Sequence, residues 1–455
     1  MKHTGLLLIL IFISTASFCQ KYIIEGQINN YYNKTIIISS YLGGKTKIID
    51  STLTDSSGNF KIIFSEKNHV GLYKLSFYNK FIDIIFNYEN ISLITDIADT
   101  FEKLQILSSH ENILFLNYIQ KQSDYRLKLE LLDPLIYNYP KTDSFYINIL
   151  NQFEKLQNEQ AIFIDTCIKN NPETYFTKIV KIEKLPEIQN GLSEEEYKNF
   201  LKIHHFDNID FSDTTILYNK FITQNILSYL SLYADKRYSK EEQEQAFIEA
   251  VDVVLKKVSV NLKMYEFVAN YLIDGLQKFD FGVVVDYIVD NDYLSSFCKK
   301  NEVQSEVEKR IENLKKLKIG KIAPEFSFIE INGKEINLYE INSELTLLIF
   351  WSSACHHCSK SLQKLKIIYD QQSQKKLEVI AISLDTNKNA FSDAIAEGDY
   401  NWINYTDLQG WEGNIATLYS IYATPTMFLL NNEKKIIAKP ITIKELEKKL
   451  KELNF

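Results

Sequence analysis

Cys355 and Cys358 bracket two histidines in the stretch Trp351-Ser-Ser-Ala-Cys-His-His-Cys358. A pair of thiols at this spacing can hold a metal, staple the chain, or cycle between dithiol and disulfide. A structural zinc site needs four ligands, commonly two separated pairs. No second cysteine pair lies nearby, and His356 and His357 cannot both fold back with the two cysteines onto one tetrahedral ion. A purely structural disulfide here closes too small a loop to constrain the unfolded chain much. The redox use accounts for the placement best, and it depends on what flanks the pair.

Upstream, the apolar run Leu345–Phe350 (LTLLIF) reads as a buried strand. Downstream, SKSLQKLKIIYD spaces its apolar residues as a helix does. A cysteine on the first turn of that helix has its thiolate stabilised by unpaired backbone N–H groups and the positive end of the dipole. Cys355 is therefore the expected exposed nucleophile and Cys358, one turn inward, the expected resolving thiol. Attack on a client gives a mixed disulfide, which Cys358 releases by attacking Cys355. The intervening histidines raise the positive potential there, which favours the dithiol form and a more oxidising couple.

The remaining elements from Ile319 onward complete an α/β module spanning 319–455. A hairpin signal sits at Asn332-Gly333, KLEVIAISLD and TPTMFLLN read as strands, KKIIAKP as another, and TIKELEKKLKEL as a closing helix. Residues 20–100 alternate short β-branched and aromatic runs with turn-formers such as DSSGNF, which predicts an all-β sandwich-like domain. Gly58 there meets a backbone requirement of a tight turn. Residues 101–318 switch to helical spacing, with a capping box at Ser239 and Glu242, and predict an all-α domain. The expectation is a multidomain chain of about three domains. Adjacent His204 and His205 diverge on a helix and lack spaced partners, so they are read as surface or packing residues.

Residues 1–19 have the layout of a signal peptide: Lys2 and His3, an apolar run from Leu6 to Ile13, then small polar residues. The run is too short to span a bilayer. Phe18 disfavours a lipid anchor on Cys19, so a protein of the periplasm or cell envelope, soluble after cleavage, is expected ahead of a lipoprotein. In such an oxidising compartment Cys167 and Cys298 could pair or remain buried thiols. A net charge of -8 with no basic stripe argues against nucleic acid as a partner.

The stretches LLIFWSSACHHC and YATPTMFLL resemble the active site of the thioredoxin superfamily. APEFSFIEINGKEINL ahead of them resembles the extra N-terminal hairpin of exported TlpA and ResA-like thiol-disulfide oxidoreductases, an AhpC/TSA-type module. The β and helical domains before it are similar, less specifically, to modules of envelope proteins.

The resemblance implies that Trp351 packs beside the pair, Cys355 attacks and Cys358 resolves. It also implies that Thr424 and Pro425 form a cis-proline loop that meets the client, near His356 and His357. No cofactor and no metal are expected. The expected partners are envelope thiol or disulfide proteins and a membrane electron donor, with a homodimer left open. Family members often place a buried acid near the pair, where this chain has Ile349 and Ser361.

A peroxiredoxin shares the fold, but Leu348 stands where its proline belongs and no arginine occurs from 319 to 455. A docking protein without catalysis is the other alternative, because fold alone does not fix function.

Overall fold

The computed structural model describes residues 20–186, 193–291, 293, 306–329, 333–372 and 376–454. The signal segment 1–19 with Cys19, Cys298 and Asn332 lie outside the described residues. The chain divides into two compact units, residues 1–232 and 233–455.

The first unit opens with eight strands: β1 (Lys21–Asn29), β2 (Thr35–Leu42), β3 (Lys45–Leu53), β4 (Asn59–Ser65), β5 (Gly71–Phe77), β6 (Lys80–Phe86), β7 (Ile91–Asp96) and β8 (Gln105–Ser108). They form two four-stranded sheets, ordered β4-β1-β7-β8 and β3-β2-β5-β6. Alternation along strands such as NFKIIFS turns one face inward, and Ile24, Phe64, Tyr73, Phe86 and Leu93 meet in a shared core. This is the expected sandwich, extended past residue 100 by β8. β8 pairs antiparallel with β7 inside the stretch read as helical. Its four residues QILS are largely exposed and too few to show alternation. Gly58 sits at φ +82°, the left-handed turn conformation its position suggested.

Helices α1 (His110–Asn138), α2 (Ser144–Asn170), α3 (Tyr175–Glu183), α4 (Glu194–His204) and α5 (Phe221–Ser231) follow. Side chains rather than loops dock them. Asn112 of α1 accepts from the Ile85 N–H at 2.8 Å and donates to the Ile85 carbonyl at 2.7 Å, as a neighbouring strand would. The Glu111 carboxylate accepts from the Tyr175 and Phe176 N–H groups at 2.8 and 2.7 Å, capping the N-terminus of α3. His204 pairs with Asp207 at 2.7 Å on the surface, and His205 is buried with Nε2 3.2 Å from the Asn225 carbonyl. Cys167 has no disulfide partner among the described residues, and burial pushes its thiol up.

The second unit begins with α6 (Lys240–Val258), α7 (Leu262–Lys278), α8 (Gly282–Asp290) and α9 (Glu306–Lys316). The capping box at Ser239 and Glu242 is formed. The hairpin β9 (Ser327–Ile329) and β10 (Glu335–Asn337) comes next. Then follow β11 (Leu345–Trp351), α10 (His356–Gln371), β12 (Leu377–Ser383), α11 (Lys388–Gly398), β13 (Ile403–Tyr405), α12 (Asn414–Leu418), β14 (Thr426–Asn431), β15 (Ile436–Ala438) and α13 (Ile443–Glu452). The sheet order is β13-β12-β11-β14-β15, with β11 parallel to β12 and antiparallel to β14. Every residue of β11 is buried, as a central strand covered on both faces must be. One face packs Trp351, Cys358 and Leu362, and the other packs Phe350, Tyr419 and Phe428.

Candidate functional site

The cysteine pair stands where β11 hands over to α10, at the carboxyl end of the central strand. Cys355 is the N-cap of α10 in extended conformation, and the Cys358 N–H donates to its Sγ at 3.2 Å. The Cys355 carbonyl accepts from the Cys358 and Ser359 N–H groups at 2.9 and 3.2 Å. The cap places Sγ within reach of the Cys358 N–H at the positive end of the helix dipole, the setting that stabilises a thiolate once the pair is reduced. In this structure the two cysteines are disulfide-bonded, with Cα atoms 5.2 Å apart. Cys358 is 0% exposed and packed under α10, whereas Cys355 is partly exposed. Exposed sulfur first and buried sulfur second is the order an attacking and a resolving thiol require.

Antiparallel pairing of Phe350 with Thr426 brings the preceding loop alongside the pair. The Thr424-Pro425 peptide is cis, and the Thr424 carbonyl oxygen lies 3.5 Å from Cys355 Sγ. His356 and His357 are both exposed, their rings 6.2 Å apart. Trp351 is 1% exposed behind the pair, with its ring 6.2 Å from Phe391 and 6.3 Å from Tyr400. It shares a core with Cys358, so it shapes the site from within. Ile349 is buried and Ser361 half-buried, and neither supplies a carboxylate to the pair.

Two features carry no flag in the sequence. Asp385, just beyond β12, is 6% exposed and gathers the loop leading to Cys355. Its carboxylate accepts from Ser352 Oγ at 2.9 Å, from the Ser353 N–H at 3.0 Å, from Ser353 Oγ at 2.9 Å and from Ser383 Oγ at 2.6 Å. The parallel register of Trp351 with Ser383 explains why a residue 30 positions downstream of Cys355 reaches this loop. Only the position of Asp385 at the end of an apolar strand could have signalled it.

The second feature is a cleft of about 810 Å³ within the second unit. His357, Thr424 and Pro425 line one side, and Gln277, Val283 and Asp286 from the preceding helices line the other. The Tyr422 hydroxyl donates to the Gln277 carbonyl at 3.0 Å, tying the cis-proline loop to the C-terminal end of α7, and burial pushes that phenol up to about 12. Burial also pushes the Asp286 carboxyl up and the Lys439 ammonium down.

Residues 319–439 match the model of the AhpC/TSA family. The thiol-disulfide oxidoreductase ResA of Bacillus cereus is 29% identical over 126 residues, 28% of this chain and 71% of the relative. ResA of Bacillus thuringiensis subsp. konkukian is 28% identical over 141 residues, 30% of this chain and 80% of the relative. The C-terminal module belongs to the thioredoxin superfamily. It is of the TlpA and ResA-like kind, and its activity class is thiol-disulfide exchange.

Two solved structures are also similar. A thiol-disulfide oxidoreductase from Bacteroides fragilis is 31% identical, covering 29% of this chain and 99% of that one, with a TM-score of 0.28. A thioredoxin-like protein from Bacteroides caccae is 25% identical, covering 59% of this chain and 97% of that one, with a TM-score of 0.39. In the thioredoxin-like module Leu348 is fully buried in β11, and no arginine is present to polarise a peroxide.

Proposed function

We propose that the protein is an exported thiol-disulfide oxidoreductase that reduces disulfides of envelope polypeptides, with Cys355 attacking and Cys358 resolving. The observation that carries the reading is Cys355 at the N-cap of α10, its Sγ beside the Thr424 carbonyl and Cys358 sealed beneath it. The Cys355 thiolate attacks one sulfur of the client disulfide; a bond forms between them, and the other client sulfur leaves as a thiolate. Cys358 gives up its proton to a departing thiolate and attacks Cys355 Sγ. The Cys355–Cys358 bond forms and the second client sulfur is released. Two electrons pass from the pair to the client. A dithiol donor, at or in the membrane, returns them by the same exchange run in reverse. His356 and His357, exposed at the cap, meet the client beside the Thr424-Pro425 loop, while Trp351 supports the pair from the core.

Equilibration of the full chain in defined thiol buffers, read by alkylation of the peptide bearing Cys355 and Cys358, tests this. A reversible two-electron couple near about -270 mV is expected of a reductase, and one near about -120 mV would reverse the direction. Absence of any reversible couple, or client reduction surviving Cys355→Ser, would defeat the enzyme reading and leave a docking protein.

A further inference from the structure

The cleft beside His357 and the Thr424-Pro425 loop is built from two parts of the second unit, and its charges are unevenly paired. Lys240 is bridged to Asp280. The buried Glu244 carboxylate accepts from the Val283 N–H at 3.3 Å. Asp286 sits in the field of Lys318 and Lys439, and Lys318 Nζ donates to the Asp286 carbonyl at 3.3 Å. These acids are thus engaged within the protein. Lys278 at the end of α7, Lys360 and Lys364 on α10 and Lys444 on α13 are exposed around the same cleft and make no ion pair among the described residues. Against these four stand the exposed Glu241 and, beside the cleft, Glu445, whose carboxylate accepts from the Ile441 N–H and the Thr442 hydroxyl at 3.0 Å each. The rim is therefore cationic in a chain whose net charge is -8.

Lys360 and Lys364 lie one turn apart on the helix that Cys355 caps, the spacing that puts both on one face. Lys278 belongs to the helix whose Gln277 carbonyl holds Tyr422 of the cis-proline loop. Between the lysines the floor is apolar, with Val283, Val285, Met427, Phe428 and Ile441. A cationic rim over an apolar floor suits an extended polypeptide that buries side chains and leaves carboxylates at the edge. The client's sulfur has to reach Cys355, which fixes that polypeptide beside the Thr424-Pro425 loop and under the helical wall.

We infer that the helices preceding the module complete the client site, and that this site selects cysteine-containing polypeptides whose residues flanking the disulfide are acidic. The inference rests on the exchange activity proposed above. It also gives residues 240–286 a role, since they supply the wall facing His357 and the Thr424-Pro425 loop and contribute Lys278 to the rim.

The test uses the reduced full chain and three disulfide-linked peptides that differ only in flanking residues, Glu, Ser or Lys, with a small-molecule disulfide as a fourth substrate. At about 0.02 M salt the Glu peptide should react about tenfold faster than the Lys peptide, and at about 0.5 M salt the ratio should fall towards one. The triple variant Lys360→Glu, Lys364→Glu, Lys444→Glu should invert the order by accelerating the Lys peptide. Misfolding cannot mimic that gain. Lys278→Glu alone should shift the ratio the same way, which a rim made only by the module would not show.

Equal rates for the three peptides at low salt, with the small disulfide still reduced, would overturn the acidic preference and leave the exchange reading intact. Equal rates combined with binding to anionic phospholipid vesicles, lost in the triple variant, would assign the lysines to a lipid surface and overturn it too. No reaction with any of the four substrates would overturn both readings.

Discussion

Asp385 holds the loop in front of Cys355 through bonds that a neutral side chain cannot all replace. A carboxylate offers only acceptors, and here each oxygen faces donors: two serine hydroxyls and an N–H from Ser352 and Ser353, and a third hydroxyl from Ser383. The asparagine amide in Asp385→Asn would present N–H donors to at least one of them, leaving a buried donor unsatisfied. Hydrogen bonds to charged groups contribute about 1.5–3 kcal/mol each, so a loss of about 2–3 kcal/mol from the second unit is expected. A denaturant midpoint shifted at constant slope would register it. An unmoved midpoint would mean that Ser353 finds another acceptor and that Asp385 is not what fixes the loop. The cysteines were legible in the sequence because their chemistry depends on local spacing and a helix start. Asp385 was not, because its role arises from the register of two parallel strands, a pairing that no short window contains.

At the level of elements, patterns that repeat were readable and pairings made at a distance were not. The seven long strands announced themselves as β-branched and aromatic runs between turn-formers, and the central β11 by an unbroken apolar run. Strand β8 was hidden because four mostly exposed residues carry no period. The two histidines read as packing or surface residues divide between those roles, and the buried one has a consequence. His205 closes α4 against α5: its Nε2 faces the Asn225 carbonyl, while the Asn225 amide donates to the Ile182 carbonyl of α3 at 2.7 Å.

Burial holds the His205 imidazole below its ordinary pKa. The folded protein then binds fewer protons at this ring than the unfolded chain does. Stability is full above the unfolded value of about 6.5 and falls as the pH drops below it. Urea midpoints for wild type should therefore decline between about pH 7.5 and about pH 5, and His205→Phe should decline less steeply over the same range. Parallel declines in the two proteins would show that His205 is not the group responsible.

At the scale of the whole molecule, the boundary suggested by the change of sequence period does not coincide with the boundary of packing. Periodicity changes at 319, but the second compact unit begins at 233. Leu317, 1% exposed, belongs to the same core as Phe326, Leu348, Phe350 and Phe428, and the next residue, Lys318, donates back to α8 through the Asp286 carbonyl. Hydrophobic patterning reports which face of an element is buried but not which neighbouring element buries it. A chain starting at 319 loses Leu317 from its core and the Gln277 acceptor of Tyr422 from its cis-proline loop, whereas a chain starting at 233 keeps both. Removing one buried leucine side chain from a packed core costs about 2–5 kcal/mol. The fragment 233–455 should therefore unfold at a clearly higher denaturant concentration than 319–455, by at least about 2 kcal/mol in extrapolated stability. Equal midpoints would show that the module is energetically complete without the helices, and would leave those helices client binding alone.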